Sequence, residues 1–360
     1  MRAAKTVFIV GAGASNEVGI PFGRGFLEIV SEKLGFRFKG PSLDPDCGDS
    51  DILDVIQQHA SDRPSLNKYL EAAQRIREGI LFSRSIDALI DVHRDDQRIQ
   101  QLGKLAIAKT ILEQEQRCHM YVAPPGTSFQ DITRLDKSWF VNFARGLNDG
   151  VRRDEIDRIF DKVSFVVFNY DRCLEHFLYN ALQKHYGVDA IKAKSVMERL
   201  TIFHPYGKIA DLPWQGRSGI PFGCPANRSN LLVMMSQIKT YTEQVENDDT
   251  LNSIRHEIAE AETLVFLGFS YLDLNMDVLD PGADCAAQNV FGTAFGISES
   301  DVSQIKDKIR RLVRRNLSEL RTRNTVQTVE ERLYIRNLKC AEVLEEYSRS
   351  LFAAGQRSGS

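Results

Sequence analysis

Four short polar segments carry the residue types that could do chemistry, and each follows an apolar run. Gly11-Ala12-Gly13-Ala14-Ser15 follows Thr6 to Val10 (TVFIV). Small residues where a strand hands over to a helix let backbone N–H groups approach a pyrophosphate at the helix N-terminus. The dehydrogenase fingerprint would place a third glycine at position 16, but this chain has Asn16, and Gly19-Ile20-Pro21 and Phe22 follow at once. Phe168-Asn169-Tyr170-Asp171 ends the run from Ser164 (SFVVF), which sets polar side chains at the carboxyl end of a strand, where open α/β sheets bind ligands. Asp171 suits a helix N-cap equally well. His204 ends the run LTIF and precedes Pro205-Tyr206-Gly207, an imidazole on a rigid turn, although a lone histidine is more often structural. Gly268-Phe269-Ser270 closes Thr263 to Leu267 (TLVFL) and leads to Asp273 and a short helix, a glycine and a hydroxyl suited to phosphate or ribose contact.

The apolar runs that end in these segments are short and β-branched, as in strands of a buried parallel sheet. Leu231 to Met235 and Val290 to Phe295 read as further strands, and helical patterns between the runs imply βαβ units. A helix is expected over about Gly23 to Leu34, and Gly40 to Ser50 reads as a loop. From there to about Asp161 no strand pattern occurs. Apolar residues recur at helical spacing instead, as in Ile86, Leu89, Ile90 and in Leu102, Leu105, Ile107, Ile111, Leu112, so residues 50–160 read as a helical insertion. Ser298 with Asp301 three residues on marks another helix start. A last strand is expected near Leu333 to Leu338, then a helix from Ala341 to Phe352 and a disordered tail from Gly355.

With 360 residues, 42% apolar and 26% charged, the chain can bury a sizeable core, and a net charge of -3 excludes global polycation character. Lys306 to Arg323 holds eight basic and two acidic residues. A solvated helix face, with Val302, Ile305, Ile309 and Leu312 as its apolar side, is the simpler account of it than nucleic-acid contact. The six cysteines (Cys47, Cys118, Cys173, Cys224, Cys285, Cys340) include no C-x-x-C, which argues against a zinc ribbon and a disulfide framework. The apolar run near the N-terminus, about five residues, is too short for a signal segment or a membrane span, so a cytoplasmic location is expected.

In combination, the order GAGAS, GIP, NYD, H-x-x-G and GFS resembles the sirtuin family over about residues 5 to 300. The resemblance implies a Rossmann-like catalytic domain over 1–300 that binds NAD+, with a C-terminal α/β extension over 301–354 and a tail over 355–360. It implies that Asn169 orients the ribose hydroxyls or an attacking water and that Asp171 helps stabilise an oxocarbenium-like centre. His204 would be the general base, since an unperturbed pKa of ~6.5 leaves it mostly neutral. Ala12 to Ser15 would hold the pyrophosphate, with Gly11, Pro21 and Phe22 beside it and Gly268, Ser270 and Asp273 on the adenosine side. Deacylating sirtuins look to a four-cysteine zinc module between the histidine and the G-x-S turn, but here that interval holds only Cys224, so no metal is expected.

The chain is most similar in style to the bacterial sirtuin-like group of anti-phage systems, through Ser85-Ile86-Asp87 and Gly103-Lys104-Leu105-Ala106-Ile107 in the insertion. That resemblance implies hydrolysis of NAD+ to nicotinamide and ADP-ribose with no further cofactor. It also implies a homo-oligomer and a partner such as a HerA-type ATPase. An NAD-dependent protein deacylase and a non-catalytic dinucleotide or ADP-ribose sensor are the alternatives.

Overall fold

Thr6–Val10 (β1) is buried at every position because it has a parallel neighbour on each edge and a helical layer on each face. The computed structural model describes residues 4–38, 45–240, 243, 248–282, 284–313 and 332–352. Arg37–Phe38 (β2) and Pro45–Cys47 (β3) make a small antiparallel pair, in a stretch whose second half was expected to be loop. The other strands are Val163–Val167 (β4), Thr201–Phe203 (β5), Thr263–Leu267 (β6), Asn289–Thr293 (β7) and Leu333–Arg336 (β8). Among the described residues they form with β1 a six-stranded parallel sheet in the order β5-β4-β1-β6-β7-β8. Counted along the chain within this sheet, that is the 3-2-1-4-5-6 order of the doubly wound nucleotide-binding fold.

Side chains alternate between the two faces of each strand. Phe8 and Val10 of β1 join Phe165 and Val167 of β4 in one core, and Val7 and Ile9 join Val166, Leu264 and Phe266 in the other. A run buried on both faces is why these strands read as unbroken apolar stretches.

The helices follow as α1 (Ala12–Ser15), α2 (Gly23–Lys33), α3 (Ser50–His59), α4 (Arg63–Ile80), α5 (Ile86–Val92), α6 (Gln97–Arg117), α7 (Ile132–Leu135), α8 (Trp139–Asn148), α9 (Cys173–Tyr186), α10 (Ala190–Met197) and α11 (Arg228–Gln237). After them come α12 (Asp248–Glu260), α13 (Asp273–Leu279), α14 (Glu299–Leu312), α15 (Cys340–Glu346) and α16 (Ser348–Phe352). Helices α2 to α6 and α11 share a third core of their own. Helix α8 lies instead on the sheet, where Phe143 meets Phe8 edge-on at 5.1 Å. Two lysines tie the helical layer together: Lys33 reaches Asp49 at 2.9 Å and Glu113 at 2.7 Å, and Lys109 pairs with Asp51 and Glu113.

The strand expected at Leu231 to Met235 is part of α11. Asn227 caps this helix reciprocally with Asn230, and Leu231 and Met234 turn inward at helical spacing. Four or five apolar residues do not distinguish a buried strand from one face of a helix. At α14 the Ser298 side chain accepts the Asp301 N–H, and Ile305, Ile309 and Leu312 form its buried face. The second half of the basic stretch, from residue 314, and the expected tail lie outside the described residues.

The two loops at the centre of the sheet touch through their backbones. Gly268 has φ +57°, and a Cβ there would collide with the Ala14 nitrogen, while one on Gly11 would lie 2.6 Å from the Gly268 oxygen. Gly268→Ala adds left-handed strain to a backbone collision and should lower stability by about 2–4 kcal/mol. Gly150→Ala, also at positive φ (+71°) but with open space around it, should cost only about 1 kcal/mol. Urea unfolding midpoints of the two variants measure the difference.

Candidate functional site

A cleft of about 630 Å³, counting the space open to solvent at its mouth, lies over the carboxyl ends of β1 and β4. One wall is the sheet edge, with Ala12 after β1 and Phe168 to Asp171 after β4. The other is the helical layer, with Ile20 to Gly23 and Phe26 around the start of α2, Ile111 of α6, and Arg84 to Asp87 at the start of α5. Ser85 caps α5 by accepting the Ala88 N–H, which fixes where Asp87 begins the helix.

Three buried polar side chains lock the sheet wall. The Ser15 hydroxyl donates to Asp171 Oδ2 at 2.7 Å and accepts from Asn169 Nδ2 at 2.9 Å. Asp171 Oδ1 accepts the N–H of Cys173, the first residue of α9, at 3.1 Å, so both oxygens of this carboxylate are engaged. Asn169 Oδ1 is buried and has no hydrogen-bond partner among the described residues.

The next residue, Arg172, has no exposed side-chain surface and neither does its partner Glu115 on α6. Arg172 Nε donates to Glu115 Oε1 at 3.0 Å, and Glu115 also accepts the backbone N–H groups of Arg172 (3.2 Å) and Gly223 (3.1 Å). Burial raises the Glu115 carboxyl above its usual value although the guanidinium opposes this. Burial works to lower the Arg172 guanidinium, but the charge and hydrogen bonds of Glu115, together with the more distant Cys224 and Glu175, raise it on balance.

Opposite the sheet wall, the Asp87 carboxylate accepts the Tyr170 hydroxyl. Burial raises the Asp87 carboxyl, with the Tyr170 hydroxyl opposing, and burial together with Asp87 pushes the Tyr170 phenol well above its ordinary value. The sequence reading assigned no site role to Asp87 or Arg84, which precede Asn169 by some eighty residues and reach the cleft only because the insertion folds over the sheet edge.

The structure thus brings Ala12, Pro21, Phe22, Asn169 and Asp171 to one cleft, with Ser15 directly behind. The glycine turn itself does not offer the expected row of free N–H groups. Gly11 N–H goes to the Leu267 oxygen (2.9 Å), Gly13 N–H to the Gly268 oxygen (3.0 Å) and Ala14 N–H to the Gly11 oxygen (2.9 Å). Its glycines serve the close approach of β1 and β6. Ser270 and Asp273 do not line the cleft: both are exposed, Ser270 accepts from Asn275 at 3.5 Å, and Asp273 pairs with Lys308 at 2.7 Å.

His204 departs from expectation as well. It does not line the cleft, and its ring lies between two acceptors, the Asn169 carbonyl oxygen 3.4 Å from Nδ1 and Glu175 Oε1 3.0 Å from Nε2. Both ring nitrogens thus face protein acceptors and not the cleft. Burial alone would raise the Glu175 carboxyl, but the charges of His204 and Lys208 hold it well below the usual carboxylate range. In this arrangement His204 is a strut from α9 to the backbone of Asn169.

Among the described residues no cluster of three or more histidine, cysteine or acidic side chains could hold a metal ion, and none of the six cysteines forms a disulfide. No described helix is long and apolar enough to cross a membrane.

Neither protein-family models nor curated protein sequences match this chain. Among solved structures it is similar to a Sir2 homologue in complex with NAD at 11% identity, over 97% of this chain and 90% of that one, with a TM-score of 0.38. It is similar to a mutant Sir2 homologue in complex with ADP-ribose at 12% identity, over 97% and 92% of the two chains, with a TM-score of 0.36. What the fold and the site define directly is a doubly wound α/β protein with a cleft at the carboxyl edge of its sheet.

Removing one partner of the buried pair leaves the other charge stranded. Glu115→Gln should therefore destabilise the chain by about 3–5 kcal/mol. Asp136→Asn, which breaks the exposed 2.6 Å pair with Arg145, should cost less than about 1 kcal/mol in the same denaturant titration.

Proposed function

We propose that this cleft binds NAD+ and hydrolyses the bond between nicotinamide and ribose, releasing nicotinamide and ADP-ribose. The observation that carries the reading is Asn169, a buried amide in the cleft wall whose Oδ1 lacks a partner while Nδ2 is held by Ser15. A buried acceptor left open is costly, and a ribose hydroxyl or the attacking water would satisfy it. The strand order supports a dinucleotide bound at the carboxyl edge of the sheet. The motif order from Gly11 to Ser270 favours NAD+ among dinucleotides.

Breaking the glycosidic bond builds positive charge on the sugar. The apolar residues Ile20, Phe22, Phe26 and Phe168 give the planar nicotinamide ring a dry seat, and carboxylates on the two walls provide a fixed negative field. Asp171, with both oxygens engaged, acts through its charge and by holding Asn169 through Ser15. Constant NAD+ hydrolysis would harm a cell, so the activity fits a toxic effector of an anti-phage system, kept in check within a homo-oligomer or by a partner such as a HerA-type ATPase.

The purified chain, given NAD+ and no acylated peptide, should form nicotinamide and ADP-ribose in equal amounts by chromatography. Asn169→Ala should lower that rate about 10²–10³-fold while the fold persists. Release that requires an acylated peptide would mark a deacylase, and binding without turnover a sensor.

A further inference from the structure

The geometry points to Asp87, contributed by the helical insertion, as the general base of the reaction in this cleft. The inference rests on the proposed NAD+ hydrolysis and assigns the residue that activates the water. Two carboxylates line the cleft, and Asp171 is fully occupied by Ser15 and the Cys173 N–H. His204 lies off the cleft between two acceptors. Asp87 lines the same cleft as Asn169, its carboxylate positioned by the Tyr170 hydroxyl. Tyr170 comes from the same loop as Asn169, so the base and the ribose-binding amide are set by one backbone segment.

In the step, the bond between ribose C1′ and the nicotinamide nitrogen breaks and its electron pair leaves with nicotinamide. The water oxygen bonds to C1′ and its proton passes to the Asp87 carboxylate, which then returns it to solvent. A base works best when its pKa lies near the working pH, and burial moves the Asp87 carboxyl upward, in that direction. The titratable group in contact with it is Tyr170, on which Tyr206 and Glu243 also act, and Asp171 from the loop after β4 and Arg84 from its own segment are the charged residues that line the same cleft.

The test measures nicotinamide release by the full chain across acidic and neutral pH, with kcat and KM separated. Asp87→Asn should lower kcat about 10²–10⁴-fold with little change in KM. A base must be deprotonated, so the rate falls as pH drops through its pKa. Tyr170→Phe removes a hydrogen bond that stabilises the carboxylate, and it should move that acid limb to higher pH. An Asp87→Asn enzyme with the parent's kcat, or an acid limb unmoved in Tyr170→Phe, overturns the assignment of Asp87 alone. A parent chain that releases no nicotinamide overturns the assignment together with the reading beneath it.

Discussion

The Arg172–Glu115 pair is the constraint on which the rest of the site depends. Arg172 immediately follows the segment that carries Asn169, Tyr170 and Asp171, and Glu115 belongs to the long helix of the insertion. With neither side chain exposed, each charge tolerates burial only while the other faces it. The loop after β4 therefore cannot move away from the helical layer without stranding a charge. Arg172 extends the same tie to the chain after β5, donating to the carbonyls of Ile220 and Pro221.

That tie gives the cleft its two walls. The glycine junction of β1 and β6 fixes the floor, because backbone-to-backbone approach leaves no space for a side chain at Gly11 or Gly268. The Ser15–Asn169–Asp171 network stands on that floor, and the insertion supplies Asp87 from above. A parallel sheet alone would leave its carboxyl edge open to solvent. Here α5 and the start of α2 close over it, and burial raises the Asp87 carboxyl.

The parts of this arrangement that depend on local pattern were legible in the sequence. β1, β4 and β6 read as buried strands because both faces are covered, and Asn169 and Asp171 stood out as polar residues ending such a run. The run Leu231 to Met235 misled because a short apolar stretch has no period to read. His204 was expected to be a base because of the motif order around it, and only the tertiary contacts show Glu175 and the Asn169 carbonyl on its two nitrogens. Gly13 and Ala14 looked like a phosphate cradle because sequence does not reveal that the Gly268 oxygen takes the first N–H and the Gly11 oxygen the second. Asp87 stood out only as part of the Ser85-Ile86-Asp87 pattern and with no site role, since that role arises from packing against Tyr170.

The central claim is that the ligand lies between the sheet edge and the insertion, touching both. Hydrogen exchange with and without a non-hydrolysable NAD+ analogue tests it directly. The account predicts slowed exchange together in residues 11–23, 84–92 and 168–174. Slowing confined to residues 268–275, with residues 84–92 unchanged, would contradict it.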